Sequence, residues 1–470
     1  MKPIDAIDAA VEEEKTISLY AASKKIQPRA VKGQYASLRW AAVFLTQIVF
    51  YGLPWLEWGQ RQAVLFDLGA RRFYLFGLVL YPQDFIYLTG LLVIAALSLF
   101  LFTAVAGRLW CGYACPQTVY TEIFMWIERK IEGDRQARIR LDDGPMTASK
   151  FGKKSAKYSI WILVALWTGF TFVGYFTAIR TLAPAILGNM LGPWETFWIL
   201  FYSFATLGFA GYMREQVCKY MCPYARFQSA MFDKDTLIVT YDQARGEPRG
   251  VRSKKADANS PKLGDCIDCN LCVHVCPTGI DIRKGLQYEC IGCGACADVC
   301  DTVMTKQKLP LGLVRYTTQA ALDTKMSKAE TIRHVFRPRI LVYSTILLAL
   351  TVALFTSLAL RIPLRVDVVR DRGALSRMVE GGQIENVFRL QVMNATEQEQ
   401  EYHISASGLD GLNVASESVV KIGPAEARWV PLRLRVPPGA ASGSHTIHFE
   451  ISDAQGKSKV TEKAAFMVPR

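Results

Sequence analysis

Apolar residues run almost unbroken through five stretches of this chain, 38–56, 85–106, 159–179, 194–212 and 340–360. A helix needs about 20 apolar residues to cross a bilayer core, and the second, third and fifth stretches meet that length with no charged residue inside. The first and fourth carry Arg39, Gln47 and Glu195 within or beside them, which leaves five membrane spans as the count the pattern supports. Residues 73–81 are apolar but too short to cross, and are expected at a membrane surface or packed on the helices. After the second span, Val119, Ile123, Trp126, Ile127 and Ile131 form one stripe of an amphipathic helix expected to lie on the membrane surface.

Beyond residue 360 the period changes from helical to alternating. Short apolar–polar runs at 366–369, 387–393, 402–407, 419–422, 427–436, 445–451 and 460–467 are separated by Gly, Pro, Asn and Asp. That spacing predicts an antiparallel β-sandwich of immunoglobulin type over 361–470, and the region contains no cysteine. The remaining segments are polar. Residues 1–37 read as a mobile arm, 241–264 as a Gly/Pro/Lys/Arg-rich linker, and 306–339 as a connector with a helix near 317–334 leading to the last span.

The formal net charge of +13 raises the question of nucleic acid, but the cations are unevenly placed. Residues 1–39, 107–158 and 213–339 carry seven, ten and twenty Lys and Arg, against three in 57–83 and one in 180–193. Cations mark the cytoplasmic side of a membrane protein. The amino terminus is therefore expected in the cytoplasm, and the domain beyond the fifth span outside. With the charge so explained and no DNA or RNA module present, nucleic-acid binding is excluded. The first span reads as an anchor, because its leader is long and no small-residue cleavage site follows.

The twelve cysteines fall into two sets. Eight form two tandem runs, C-x-x-C-x-x-C-x-x-x-C-P at Cys266, Cys269, Cys272, Cys276 and Pro277, and C-x-x-C-x-x-C-x-x-x-C at Cys290, Cys293, Cys296 and Cys300. Zinc favours four ligands in two C-x-x-C pairs, and disulfides do not suit the reducing side of a membrane. The runs resemble a bacterial dicluster ferredoxin, in which the distal Cys of each run serves the other cluster. Carried over, the resemblance assigns Cys266, Cys269, Cys272 and Cys300 to one 4Fe-4S cluster and Cys276, Cys290, Cys293 and Cys296 to a second, in a domain over 265–305. The second run departs from the pattern by ending in Asp301 rather than proline.

The other four cysteines repeat a motif. Cys111-Gly-Tyr-Ala-Cys115-Pro116 follows the second span and Cys218-Lys-Tyr-Met-Cys222-Pro223 the fourth, 107 residues later. A four-residue spacing puts both thiols on one helical face. The proline favours a new helix starting just after the distal Cys, whose pKa is expected to fall at that helix start. Such thiols suit Cu(I), a soft ion; a further cluster, a haem or a quinone contact is the alternative occupant.

Taken together, helix pairs over 38–240 ending in C-x-x-x-C-P, a dicluster ferredoxin insert, a last span and an outer sandwich resemble the cytochrome c oxidase accessory protein family, named CcoG, FixG or RdxA. The resemblance implies a cupric reductase of the bacterial inner membrane. It would pass single electrons to copper at Cys111, Cys115, Cys218 and Cys222 during assembly of cbb(3)-type oxidase. It implies oxidase subunits or assembly factors, copper and an electron donor as partners. A quinol-linked carrier to a periplasmic partner and a redox-sensing assembly scaffold are the competing functions.

Overall fold

A computed structural model of the chain describes residues 25–251, 263–371, 373, 376–440 and 442–469. Five helices are long and apolar enough to cross a membrane, Gln34–Trp55, Pro82–Ala106, Ala148–Val173, Pro193–Met213 and Pro338–Ala359. Each covers one of the expected stretches. The third starts eleven residues earlier, because a lysine-rich lead-in remains helical: the Thr147 side chain accepts a hydrogen bond from the Lys150 N–H and caps it. It also ends earlier, at Val173, and Ile179–Leu187 is a separate short helix.

The second span packs on the fifth, where Gly90 lies under Leu354. The third packs on the fourth at Gly169, where a Cβ would sit 2.4 Å from the Ile199 carbonyl oxygen. Only glycine lets these two helices approach so closely. Leu92, Phe204, Leu348 and Phe355 point outward and stay exposed, as a lipid-facing surface requires.

One end of the spans carries the sandwich. Its first sheet runs Asn413–Val414, Ala427–Val436, Ile384–Asn394, Leu364–Arg370, with Arg377–Met378 paired to the end of the third of these. The second runs Val419–Ile422, Gln400–Ser407, Gly443–Asp453, Lys459–Val468. Alternate residues turn inward, so Phe388, Leu390, Leu432 and Leu434 of one sheet meet Ile404, Ile447, Phe449 and Phe466 of the other. The rings of Phe388 and Phe449 meet edge to face at 5.1 Å.

The apolar stretch 73–81 belongs to a small three-stranded sheet, Val64–Asp67, Arg72–Leu75 and Leu78–Leu80, that packs on this sandwich. Leu65, Tyr74, Val79 and Tyr81 bury against Met393, Ala395 and Ala425. The Tyr81 hydroxyl donates to the Asn394 carbonyl at 3.0 Å. Asp84 is fully buried and accepts from Arg361 at 2.5 Å and Arg365 at 3.0 Å, tying the second span to the start of the sandwich.

The other end carries the ferredoxin segment. Ile238–Tyr241 pairs antiparallel with Val314–Thr317 and closes the residues between them into one unit. The linker reading of 241–264 changes as a result. Residues 252–262 lie outside the described residues, but Gln243–Gly246 is a helical turn capped by Asp242, and Arg245 binds Asp265 at 2.7 Å.

The arm reading of 1–37 changes too. Residues 1–24 lie outside the described residues, while 25–33 are tied down. The Arg29 N–H donates to His274 O at 2.8 Å, the Ala30 N–H to Asp134 at 3.0 Å, and Lys25 pairs with Glu128 at 2.9 Å. The helix expected over 317–334 divides into Gln319–Asp323 and Lys328–Arg333, because Thr318 and Ser327 each cap a separate start.

The amphipathic helix, Pro116–Glu132, packs along the third span. Phe124 meets Trp161 edge to face at 5.2 Å, and the Trp161 indole N–H donates to the Phe124 carbonyl. Its polar face is dry. Glu122, Glu128 and Glu132 are buried against Arg39, Arg138, Arg214 and Lys157.

Candidate redox site at the ferredoxin end of the spans

Both C-x-x-x-C-P motifs fold alike. Gly107, at φ 57°, breaks the second span; Leu109–Tyr113 is a short helix, Cys115 is extended, and Pro116 opens the next helix. After the fourth span come widened π-type turns at Leu207–Met213 and Val217–Met221. Cys222 is again extended, and Pro223 opens the helix Pro223–Met231. That helix brings the two copies together, since Gln228 contacts the Cys111 sulfur at 3.4 Å. The thiol of Cys218 feels those of Cys115, Cys111 and Cys222, so all four sequence-predicted thiols share one neighbourhood.

The expected fall in the pKa of Cys115 is not found. The Gln117 and Thr118 N–H groups at the helix start do favour its thiolate, but burial outweighs them and the pKa rises. Burial also pushes Cys111 up to about 11 and Cys218 up to about 12. These thiols are protonated when nothing is bound, and a metal must displace the protons.

The ferredoxin thiols line two adjoining cavities. Cys266, Cys269, Cys272 and Cys300 line one. Cys276, Cys290, Cys293 and Cys296 line the other, which Cys272 also borders. The crossed pairing of the runs thus coincides with the cavity walls. Among the described residues, no three Cys, His, Asp or Glu side chains are grouped closely enough to hold a single metal ion. A tetrahedral zinc site needs its sulfurs about 2.3 Å from one centre, whereas a 4Fe-4S cluster holds one thiolate at each of four corners of a larger body. The donor set and the apolar cradles fit clusters. Burial raises Cys290 and Cys300 to about 12 and Cys272 to about 11, so these thiols too are proton-bearing until loaded.

The missing proline after Cys300 has a structural reason. Cys300 and Asp301 lie inside the helix Ala295–Gln307, where proline would break the backbone ladder. Asp301 instead accepts from the Gly312 N–H at 2.8 Å and holds the return strand.

The two groups of thiols meet at one contact. Gly112, between Cys111 and Cys115, lies on the loop of the second run: a Cβ there would be 2.8 Å from Ile291 O and 3.0 Å from the Cys293 Cα. Cys111 packs with Ile291, Cys293 and Val275. Arg108 reaches across to the Cys290 carbonyl at 3.4 Å.

Sequence reasoning missed the charges around this contact. Glu128, with no exposed side-chain surface, pairs with Arg138 and Arg214 at 3.0 Å and with Lys25 at 2.9 Å. Burial favours its neutral form, but Arg214, Lys25 and Arg138 outweigh that and hold its pKa at about 2. The available signal was an arginine three or four residues before each motif, Arg108 and Arg214.

Three family models match: a 4Fe-4S dicluster domain over 213–319, a 4Fe-4S binding domain over 88–133, and an IG-like fold at the C-terminal of FixG over 354–469. Protein RdxB of Cereibacter sphaeroides is 42% identical over 86% of this chain and 86% of its own. Nitrogen fixation protein FixG of Rhizobium meliloti is 37% identical over 89% and 87%. Protein RdxA of Cereibacter sphaeroides is 38% identical over 95% and 98%. With these relatives, five apolar helices and two 4Fe-4S binding domains, the chain belongs to the FixG/RdxA family of membrane iron–sulfur proteins.

Proposed function

We propose that this protein is a cupric reductase that supplies Cu(I) during assembly of a cbb(3)-type cytochrome oxidase. The observation that carries the reading is the contact of Gly112 with the Ile291–Cys293 loop, which sets the motif of Cys111 and Cys115 against the second ferredoxin thiol set. Cys266, Cys269, Cys272 and Cys300 would hold one 4Fe-4S cluster and Cys276, Cys290, Cys293 and Cys296 the other. When bound, these groups supply single electrons.

The chain's own residues do the rest. Thiols among Cys111, Cys115, Cys218 and Cys222, no three of which are grouped closely enough to hold one ion together, receive the substrate ion, each bound thiol losing its proton. One electron converts Cu(II) to Cu(I), the state that soft thiolates favour. Ile291, Val275 and Leu271 pack around Cys111 and keep water from the path between the two sets. In this reading the ferredoxin end faces the cytoplasm and the sandwich the periplasm, where it would meet oxidase subunits or assembly factors.

A second reading has its own support. The 4Fe-4S binding model over 88–133 includes Cys111 and Cys115, which favours a further cluster at the four thiols and a quinol-linked electron carrier. Anaerobic iron, sulfide and copper analysis of the purified protein separates the two. The cupric reductase holds about eight irons per chain, as two clusters require, and binds copper that is lost when the four membrane-end cysteines become serine. About twelve irons, with no copper bound, would replace it with the second reading.

A further inference from the structure

Arg108 is 7% exposed, yet among the described residues no carboxylate pairs with it. The other buried cations of this end all have one: Arg39 has Glu122 at 3.6 Å, Arg138 and Arg214 have Glu128, and Lys157 has Glu132 at 2.9 Å. The hydrogen bonds of Arg108 go to neutral acceptors, Cys290 O at 3.4 Å, Ser229 Oγ at 3.3 Å and the Ala225 carbonyl, and its Nε–H has no partner.

Burying an unpaired guanidinium costs several kcal/mol, so this position calls for a counter-charge that comes with occupancy. Its surroundings say which. The Arg108 charge interacts with the thiols of Cys111, Cys290, Cys218 and Cys222, three from the C-x-x-x-C-P pair and one from the second ferredoxin set. It is held there from both sides, by the Gly292 loop, where a Cβ would sit 3.2 Å from the Arg108 carbonyl, and by the helix Pro223–Met231 through Ala225 and Ser229. A fixed cation in a dry site stabilises whichever neighbour has gained an electron, and one lying between two acceptors acts on both.

We propose that Arg108 is a positioning residue for electron transfer, the shared counter-cation of the two sulfur sites, which raises the reduction potential of the centre held by Cys276, Cys290, Cys293 and Cys296. This rests on the assignment of a cluster to that ferredoxin set and not on the identity of the occupant of the other.

The test is an EPR-monitored redox titration of the full-length, cluster-loaded protein, with iron and sulfide measured in parallel. Arg108→Gln shifts one of the two midpoints to more negative potential and leaves the other, that of the Cys266 set, in place. Arg108→Lys restores most of the shift. Ser229→Asp, at an exposed position beside the guanidinium, keeps the arginine but gives it a carboxylate, and shifts the same midpoint in the same direction. This variant decides the matter if Arg108→Gln fails to hold iron. Unchanged midpoints in Arg108→Gln, or in Ser229→Asp where Arg108→Gln does not load, overturn the proposal, as does an Arg108→Lys shift equal to that of Arg108→Gln. A shifted midpoint in a protein that binds no copper upholds Arg108 and removes the copper reading alone.

Discussion

Seventeen buried apolar side chains form a single core in the sandwich, whereas the ferredoxin unit divides its core into clusters of seven and five, with Cys266, Cys272, Cys296 and Cys300 packed around the first and Cys293 inside the second. The first region folds by removing hydrocarbon from water, at about 25 cal/mol per Å², and needs nothing from outside the chain. The second splits its hydrocarbon between two clusters and closes as well around thiols and paired charges. Its cohesion therefore depends on metal and on protonation, and that of the sandwich does not.

Iron removal is the largest way to break this contrast. Chelation of the loaded protein opens residues 263–317 to amide exchange while Leu390, Leu432 and Phe449 of the sandwich stay protected. Loss of protection at both ends together would show that the two regions are one cooperative unit.

Two substitutions sharpen the contrast from opposite sides. Glu128→Gln strands Arg138, Arg214 and Lys25 without their common anion and costs about 3–5 kcal/mol at the ferredoxin end. Phe388→Ala leaves a cavity against Phe449 and costs about 3–5 kcal/mol in the sandwich alone. Thermal unfolding followed by cluster absorbance responds to the first and not to the second.

A smaller effect comes from acid. Glu128 has a pKa of about 2 in the folded chain against an ordinary 4.5. Its contribution, about 3 kcal/mol, is fully present above pH 4.5 and is lost as the pH falls toward 2. Wild type thus loses stability relative to Glu128→Gln across that window, read by thermal midpoints at each pH, and parallel curves would contradict the pairing.

The same contrast explains what could be read from the sequence. Every strand expected in the sandwich formed, because alternation is a local signal: 427–436 is identical in both readings and 366–369 grew only to Leu364–Arg370. The sharing of each cavity between the two cysteine runs came from the ferredoxin resemblance, since spacing alone does not bring Cys300 to Cys266 or Cys276 to Cys290. Amphipathicity misled at Pro116–Glu132, since a pattern with three glutamates looks the same whether water or buried cations face it. The cations that cover Glu128 are 103, 10, and 86 residues away in sequence. Arg108 could not be assigned a role because its function lies in having no carboxylate, and an absence of partners is visible only in three dimensions.

The central claim is that electrons reach copper at the four membrane-end thiols. The direct measurement is anaerobic formation of Cu(I) from Cu(II), trapped by a Cu(I)-specific chelator, with protein whose clusters have been reduced. Cys111, Cys115, Cys218 and Cys222 are replaced together by serine and the variant is compared with wild type at equal iron content. The account predicts that the variant loads and reduces its clusters as wild type does but yields almost no Cu(I). Cu(I) formation at the wild-type rate would contradict it.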